Sequence, residues 1–150
     1  MKRSAWVVIA IAGALVVFGG SAAVVSSIAG FPPYVLALAY AVAIAERGAA
    51  EIQSGNIARN NPGDIEAGGQ LVSYSSIEEG WAALYSQVAR FFSGSSLYSP
   101  SMTVQQLAHI YVDGPNAPIS QDAQDWAVNV ANVLGVSVST TVSQIQGMFT

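Results

Sequence analysis

The sequence predicts a small, mainly α-helical domain preceded by one N-terminal transmembrane helix. Two observations lead to this prediction. No charged residue occurs between Ser4 and Ala45, a run of 42 residues in a chain of 150. The rest of the chain carries amphipathic segments with helix-capping signals and few of the alternating patterns that are typical of strands. With the apolar start set aside, roughly 120 residues remain, which is enough for one modest domain.

The N-terminal apolar stretch covers residues 6–28, or 23 residues, whereas a helix needs about 20 to cross a bilayer. Lys2 and Arg3 precede it, and positive charge tends to stay on the cytoplasmic side. We therefore expect residues 1–30 to be a single-pass anchor that contacts the lipid bilayer of a cell or a virion. Residues 31–150 would then form a domain on the non-cytoplasmic side. The alternative is a secretory signal segment that is cleaved off.

Composition excludes several classes of function. Beyond residue 3 the chain has three basic and nine acidic residues, and it has no cysteine. A nucleic-acid-binding protein needs a basic surface, so we expect no nucleic-acid partner. A thiol nucleophile is excluded, and His109 as the single histidine argues against a catalytic zinc site. Since no phosphate-binding loop follows a strand either, we expect no metal and no other cofactor.

Apolar periodicity places the helices of the domain. Pro32 and Pro33 suit a helix start, and residues 34–45 form an apolar helix too short to span a bilayer, hence a core helix. A helical hairpin in the membrane is the alternative. Capping signals and three-to-four spacing predict four more helices, at about 77–93, 103–112, 121–134 and 140–149. A small hairpin is expected near 64–75, and no internal repeat is evident.

Glu46 is the first acidic residue of the chain and follows this apolar helix directly. The negative end of the helix dipole and apolar surroundings both disfavour a charged carboxylate, so the pKa of Glu46 should be raised. A general acid at neutral pH requires such a shift. The ordinary interpretation is that Glu46 marks where the helix emerges into water, paired with Arg47 or Arg59.

A polar loop follows 14 residues after Glu46, with Asn60 and Asn61 before Pro-Gly-Asp. Residues 61–64 suit a type II turn, with Gly63 at its third position, and such turns are common in all proteins. The functional interpretation is that Asn60 and Asn61 direct amide groups at a sugar, and that Asp64 is a second carboxylate. We also place Arg59, Tyr74 and Tyr111 among the sugar-binding residues, the tyrosines as stacking groups.

Several motifs in one order resemble a family of lysozyme-like domains found in phage particles and bacterial genomes, described as lytic transglycosylases or structural lysozymes. The resemblance covers roughly residues 34–138. The motifs are Ile44-Ala45-Glu46; Gly55-x-Ile57-x-Arg59-Asn60-Asn61-Pro62-Gly63-Asp64-Ile65; Glu79-Gly80-Trp81-x-Ala83-Leu84; Tyr98-Ser99-Pro100-Ser101-Met102-Thr103; Trp126-Ala127-x-Asn129; and Leu134-Gly135-Val136.

The resemblance implies an α+β lysozyme-like fold and cleavage of peptidoglycan at the β-1,4 bond between N-acetylmuramic acid and N-acetylglucosamine. Glu46 would protonate the glycosidic oxygen. In a transglycosylase it would then act as base on the 6-hydroxyl of the sugar, whereas a hydrolase would use water and commonly a second carboxylate, here Asp64. Peptidoglycan strands are thus the expected partner, with other virion or envelope membrane proteins as further candidates.

The chain departs from the family pattern in two places. Arg47 stands between Glu46 and the glycine that follows the catalytic residue in the family, and two asparagines rather than three precede Pro-Gly. Two other functions therefore stay open. One is a non-enzymatic membrane protein of a virion or envelope that keeps the fold as a scaffold or wall-binding module. The other is a small membrane-perturbing lysis protein that acts through residues 1–45.

Overall fold

The computed structural model describes residues 7–11, 14–18, 30–95 and 97–150. These residues are mostly helical, and the strands form two-stranded antiparallel sheets. In chain order the elements are β1 (Val7–Ile11), β2 (Ala14–Phe18), α1 (Pro33–Arg47), α2 (Ala49–Ser54), a 3₁₀ turn (Ala58–Asn60), β3 (Glu66–Ala67), β4 (Gln70–Leu71), α3 (Ile77–Ser93), α4 (Val104–Ala108), a π-helical turn (His109–Asp113), α5 (Gln121–Leu134) and α6 (Val142–Met148).

The N-terminal segment contradicts the predicted transmembrane helix. Strands β1 and β2 pair in an antiparallel register from Val7 with Phe18 to Ile11 with Ala14. No helix in the part of the chain that the structure describes is long and apolar enough to cross a membrane. The prediction rested on apolarity, which does not separate strand from helix, and valine and isoleucine favour strands. The remainder of the predicted anchor, including residues 19–29, lies outside the described residues.

Helix α1 is the centre of the helical part. Its residues from Val35 to Ala43 are all buried, and it packs mainly against α5 and α3. A helix that is apolar on every side is stable only when other elements surround it. The core helix predicted at 34–45 is therefore confirmed, and its burial fixes the position of the polar residues at its C-terminal end.

Glycine ends α1 and allows the chain to enter a second, short helix. Gly48 has φ +83° and its N–H donates to Ile44 O at 2.8 Å. A residue with a side chain is strained at this positive φ, which glycine adopts freely. Helix α2 then leads to the loop at 58–64. This helix was not predicted from the sequence, and its six residues include just one buried side chain, Ile52.

Caps define the longer helices largely as predicted. Ser76 Oγ accepts the Glu79 N–H at the start of α3, while the Glu79 carboxylate reaches Ser75 instead of closing the box on Ser76. Ser120 Oγ accepts the Ala123 N–H at the start of α5. Helix α5 ends at Gly135, which is left-handed with φ +69°.

The helix predicted at 103–112 is divided in the structure. Helix α4 ends at Ala108, and a π-helical turn continues to Asp113. The Gly114 N–H closes this turn by donating to His109 O and Ile110 O, each at 3.1 Å. A π turn fits an extra residue into the helix and is frequent near functional sites. Here it carries Tyr111 to the cavity described below.

Two segments pack against each other with matching contacts at the starts of α4 and α6. Thr103 and Thr141 form an isolated antiparallel bridge. Val104 N–H donates to Thr140 O, and Val142 N–H donates to Met102 O, both at 2.9 Å. Each threonine also closes a capping box with the glutamine three residues later. The two helix starts are thus related by a local two-fold arrangement that fixes α4 relative to α6.

Candidate active site

The Glu46 carboxyl lies at the end of the buried helix and contacts α5. The indole N–H of Trp126 donates a hydrogen bond of 2.8 Å to Glu46 Oε1. Burial raises the pKa of Glu46 to about 7, although the bond from Trp126 works in the opposite direction. The sequence predicted a raised pKa from the helix dipole and from apolar surroundings, and burial is the main cause of the shift in the structure. A carboxyl group with this pKa can hold a proton at neutral pH and release it to a substrate.

Asp64 is the second carboxyl group of the site. It lies within hydrogen-bonding distance of Glu46, and its Oδ1 is 2.7 Å from Arg47 Nη2. Burial raises the pKa of Asp64, while the positive charge of Arg47 lowers it. Two carboxylates this close repel each other strongly when both are charged, so the pair retains one proton to higher pH than separate groups would.

The contacts of the pair bear on the type of reaction. A glycosidase with two working carboxyl groups uses the second one on the sugar carbon or on a water molecule. Asp64 instead interacts with Glu46 and lies 2.7 Å from the guanidinium group of Arg47. The geometry therefore suits Glu46 as the acid and Asp64 as a charged partner that acts on Glu46.

The loop that presents Asp64 has an unusual backbone. Arg59, Asn60 and Asp64 have positive φ values of 59°, 50° and 47°. Side chains disfavour this region, and such residues cluster at functional sites where the surroundings impose the conformation. A type II turn at 61–64 would require positive φ at Gly63, but the positive value belongs to Asp64. The turn type predicted from the sequence is therefore wrong.

Asn61 holds this loop together from inside. The residue is fully buried, and its amide nitrogen donates to Ile65 O and Val72 O, both at 2.9 Å. Its side-chain oxygen accepts the Ile65 N–H at 2.9 Å. These bonds use both amide hydrogens and the carbonyl oxygen of the side chain. Asn61, predicted as a sugar-binding residue, instead connects the loop to the segments before and after the β3–β4 hairpin.

Two glycines allow helix α3 to approach the loop. A Cβ at Gly80 would lie 1.7 Å from Asn60 O, and a Cβ at Gly63 would lie 2.6 Å from Leu84 Cδ1. Both distances are shorter than any real carbon contact, so a side chain would force the loop and helix apart. Gly63 is thus required for space rather than for its backbone conformation.

Three other residues predicted to bind sugar contact one another at the outer side of the loop. The Asn60 amide donates to Tyr74 O at 3.0 Å, and the Tyr74 N–H donates to Arg59 O at 2.9 Å. None of the three is among the residues that line the two cavities beside Glu46. The structure therefore brings Glu46 and Asp64 together but places Arg59, Asn60 and Tyr74 in the support of the loop.

A cavity of about 430 Å³ opens on one side of the carboxyl pair. Its wall combines carboxyl, amide and phenol groups with aliphatic side chains, a mixture suited to a sugar, which has polar edges and an apolar face. The lining residues are Glu46, Asp64, Ile65, Glu66, Leu71, Gln87, Tyr98, Tyr111 and Val112.

A second cavity, of about 340 Å³, lies on the other side of Glu46. It is lined by residues of α1 and α5 together with the π turn: Ala45, Glu46, Val112, Asp122, Asp125, Trp126 and Asn129. Glu46 and Val112 belong to both cavities. The Glu46 carboxyl thus stands where the two cavities meet.

Tyr111, which was predicted from the sequence to bind the substrate, lines the first cavity. Its hydroxyl donates to Gly63 O at 2.7 Å, which joins the π turn to the Asp64 loop. Its ring lies beside Trp126 with centroids 5.3 Å apart and planes at 31°. Burial raises the pKa of Tyr111 far above its ordinary value. The hydroxyl is thus a neutral donor already engaged with the protein.

The residues of the site that the sequence did not predict include Trp126, Arg47 and Gln87. Trp126 was named only as part of a motif, although a buried indole N–H needs an acceptor and so signals a polar partner. Arg47 was noted as a departure from the family pattern and not as a contact of Asp64. The sequence pattern places Gln87 on the polar side of α3, where nothing distinguishes it from other surface glutamines.

Metal chemistry has no visible basis within the described residues. No group of three or more histidine, cysteine, aspartate or glutamate side chains there could hold a metal ion. His109 Nε2 lies 2.7 Å from Ala117 O, a contact that connects the π turn to the following loop and does not involve Glu46.

Comparison with protein-family models, with curated proteins and with solved structures finds no match for the chain.

Proposed function

We propose that the chain is a glycosidase that cleaves the β-1,4 bond between N-acetylmuramic acid and N-acetylglucosamine in peptidoglycan, with Glu46 as the general acid. The observation that carries this proposal is a carboxyl group with a pKa of about 7 at the junction of two cavities. The choice of peptidoglycan comes from the ordered motifs around Glu46, Asn60 and Trp81.

The chemistry begins with the proton on Glu46. Because the indole N–H of Trp126 donates to Oε1, the proton resides on the other carboxyl oxygen, and it passes from there to the glycosidic oxygen once the substrate is bound. As the bond breaks, positive charge develops on the sugar ring, and the negative charge of Asp64 favours that state electrostatically.

The second half of the reaction favours a transglycosylase. Once it has lost its proton, Glu46 can accept one from the 6-hydroxyl of the same sugar, which closes an anhydro ring. A hydrolase with two working carboxylates uses the second one on water or on the sugar, whereas Asp64 is paired with Arg47 at 2.7 Å. One acid-base group therefore accounts for both steps.

The test is digestion of purified peptidoglycan with the wild-type chain and with Glu46→Gln, followed by mass spectrometry of the soluble fragments. We expect the wild type to release muropeptides with anhydro ends, and Glu46→Gln to release at least about 100-fold less, the usual loss when a general acid is removed. Glu78→Gln is the matched control, because Glu78 is an exposed carboxylate at the start of α3 outside both cavities.

Each other outcome has a definite meaning. Equal release by wild type and Glu46→Gln excludes Glu46 as the catalyst. Fragments with reducing ends, heavier by one water, indicate a hydrolase. Sedimentation with the insoluble wall without release of fragments supports the non-enzymatic wall-binding alternative.

A further inference from the structure

Arg47 makes an unusual set of contacts for a residue beside the proposed acid. Its Nε donates to Asn61 O at 3.1 Å and its Nη2 donates to Ala58 O at 3.2 Å. The same Nη2 lies 2.7 Å from Asp64 Oδ1, with 14% of the Arg47 side chain and 28% of the Asp64 side chain exposed. One guanidinium group therefore contacts the beginning, middle and end of the loop at 58–64.

We propose that Arg47 is a positioning residue that keeps Asp64 ionised and so assigns the shared proton of the pair to Glu46. This inference rests on the proposed function, since it explains how the acid is kept loaded. Arg47 would act through Asp64 and through the loop backbone, without touching the substrate.

The charges around the pair support this role. Glu51 on α2 and Glu66 on β3 both disfavour a negative charge on Asp64. Asp122 and Asp125 on α5 line the second cavity with Glu46. These described neighbours are all acidic, and the two that act on Asp64 favour its protonation. The guanidinium group of Arg47 opposes them, and it does so most strongly at the carboxyl group it touches.

The two carboxyl groups compete for one proton, and their donors favour Glu46 as the group that holds it. Trp126 favours the charged form of Glu46 through one neutral N–H donor, whereas Arg47 favours the charged form of Asp64 through a full positive charge at 2.7 Å. A full positive charge in contact with a carboxylate favours its charged form more than a neutral donor does. The proton is therefore retained on Glu46, the carboxyl group that lines both cavities.

The planar guanidinium group suits this task for a geometric reason. Arginine directs several N–H groups in fixed directions and cannot lose its proton. Lysine retains the charge but places it at a single nitrogen, so it cannot contact Asp64 at the position of Nη2 and also replace the bond from Nε to Asn61 O. The two functions of Arg47, charge and loop support, can therefore be separated by substitution.

The experiment follows the two carboxyl carbons, Glu46 Cδ and Asp64 Cγ, by ¹³C NMR during a pH titration of the full chain without substrate. In the wild type between the two titration steps, Glu46 should give the chemical shift of a protonated carboxyl group and Asp64 that of a carboxylate. In Arg47→Met the midpoint of Asp64 should rise by about 1 pH unit or more. Arg90→Met, which removes an exposed arginine of α3, should leave both midpoints unchanged.

Arg47→Lys separates charge from loop support. It should keep the wild-type order of protonation and restore most of the turnover at neutral pH that Arg47→Met loses, with kcat affected more than KM. An unchanged Asp64 midpoint in Arg47→Met overturns the proposal, and so does an Arg47→Lys variant that titrates like Arg47→Met.

Asp64→Asn provides a second variant for the titration. If Arg47→Met does not fold, Asp64→Asn replaces it: the Glu46 midpoint should then fall by about 1 pH unit or more, because a negative neighbour is removed. If the Glu46 midpoint stays at about 7 in Asp64→Asn, the two carboxyl groups do not share a proton and the proposal is overturned. Since the titration needs no substrate, it can fail while Glu46→Gln still abolishes cleavage, and it can succeed in a chain that cleaves nothing.

Discussion

The indole N–H of Trp126 and the Glu46 carboxyl are joined by a hydrogen bond of 2.8 Å across 80 residues of sequence. This bond is the direct polar contact between the end of α1 and the face of α5 beside the second cavity. It fixes the direction of the carboxyl group and favours its charged form. The orientation of the proposed catalyst therefore depends on a side chain from another helix, and this side chain also opposes the effect of burial on the pKa of Glu46.

Replacing Trp126 with phenylalanine should make Glu46 a weaker acid. The aromatic contact with Tyr111 is largely kept, but the N–H donor is lost, so the protonated form of Glu46 gains relative to the charged form. A hydrogen bond to a charged group contributes about 1.5–3 kcal/mol, and we expect the pKa of Glu46 to rise from about 7 by roughly 1 unit. The alkaline limb of the pH–activity profile should move up equally.

The matched control for this change is Trp81→Phe. Trp81 is also buried, but it stacks on Tyr85 and belongs to neither cavity. It should lower stability without moving the Glu46 midpoint. A midpoint that shifts equally in both variants shows that packing, and not the hydrogen bond, controls the acid.

The raised pKa of Glu46 makes the stability of the fold depend on pH. The ordinary pKa of glutamate is about 4.3, against about 7 in the folded chain, so between these values the folded state binds more protons than the unfolded state. The free energy of unfolding therefore falls as pH rises through this window. Since Glu46 is partly exposed, we expect its share of the loss to be roughly 2–3 kcal/mol.

Urea unfolding at a series of pH values measures this effect. Glu46→Gln should reduce the slope between about pH 4 and 7, and at pH 8 it should be more stable relative to wild type than at pH 4. Glu78→Gln, which removes an exposed carboxylate, should retain the wild-type slope. Parallel curves for wild type and Glu46→Gln rule out a buried, protonated Glu46.

Local signals in the sequence predicted much of the helical part. Ser120 and Gly135 bound α5 because a side-chain oxygen and a left-handed glycine satisfy helix ends by contacts within a few residues. Glu46 was also predicted from a local signal, because it is the first charged residue after an apolar helix. The N-terminal segment was mispredicted because continuous apolarity fits both a strand and a helix.

The rest of the site depends on contacts between distant residues. The positive φ values of Arg59, Asn60 and Asp64 are imposed by the buried Asn61 and by the close approach of α3, which no local pattern encodes. Asn61 was expected to bind sugar, but its side chain binds the protein backbone instead. An amide in a polar loop can do either, and only its burial decides between them.

The sequence contains a short repeated pattern that was not predicted to have a structural role. The pattern Ser-x-Ser-x-Thr-Val-x-Gln occurs at residues 99–106 and again at 137–144. The two copies form the matching helix starts of α4 and α6, with Thr103 paired to Thr141. The expectation that the chain has no internal repeat is therefore wrong for this short pattern.

Asn61 should prove essential for stability. In Asn61→Ala the Ile65 N–H and the carbonyls of Ile65 and Val72 lose their side-chain partner in a buried place. Each buried polar group left unpaired costs about 1–3 kcal/mol, so we expect a loss of roughly 3 kcal/mol or more in the free energy of unfolding. Asn132→Ala, at an exposed position of α5, should change it by less than about 0.5 kcal/mol.

Denaturant unfolding of both variants checks this prediction, together with binding of each to a soluble chitooligosaccharide. A stable Asn61→Ala variant with weakened sugar binding reverses our interpretation and returns Asn61 to the substrate site.

Gly80 controls the distance between α3 and the loop that carries Asp64. In Gly80→Ala the new Cβ would lie 1.7 Å from Asn60 O, so the helix and loop must separate by more than about 1 Å to reach ordinary contact. Because the loop positions Asp64 against Arg47, this movement should disturb the carboxyl pair as well as the packing. We expect a stability loss of about 3 kcal/mol or more and a Glu46 pKa that no longer stays near 7.

Gly147→Ala provides the matched control, since Gly147 also lies in a helix, but a Cβ at this position would meet no neighbouring atom within 4 Å. There alanine should increase stability by up to about 1 kcal/mol, because it favours the helix over the unfolded chain. Thermal unfolding and the Glu46 titration of both variants give the answer. If Gly80→Ala retains wild-type stability and titration, α3 does not hold the loop in place, and the strained conformation of Asp64 must depend on Asn61 and Arg47 alone.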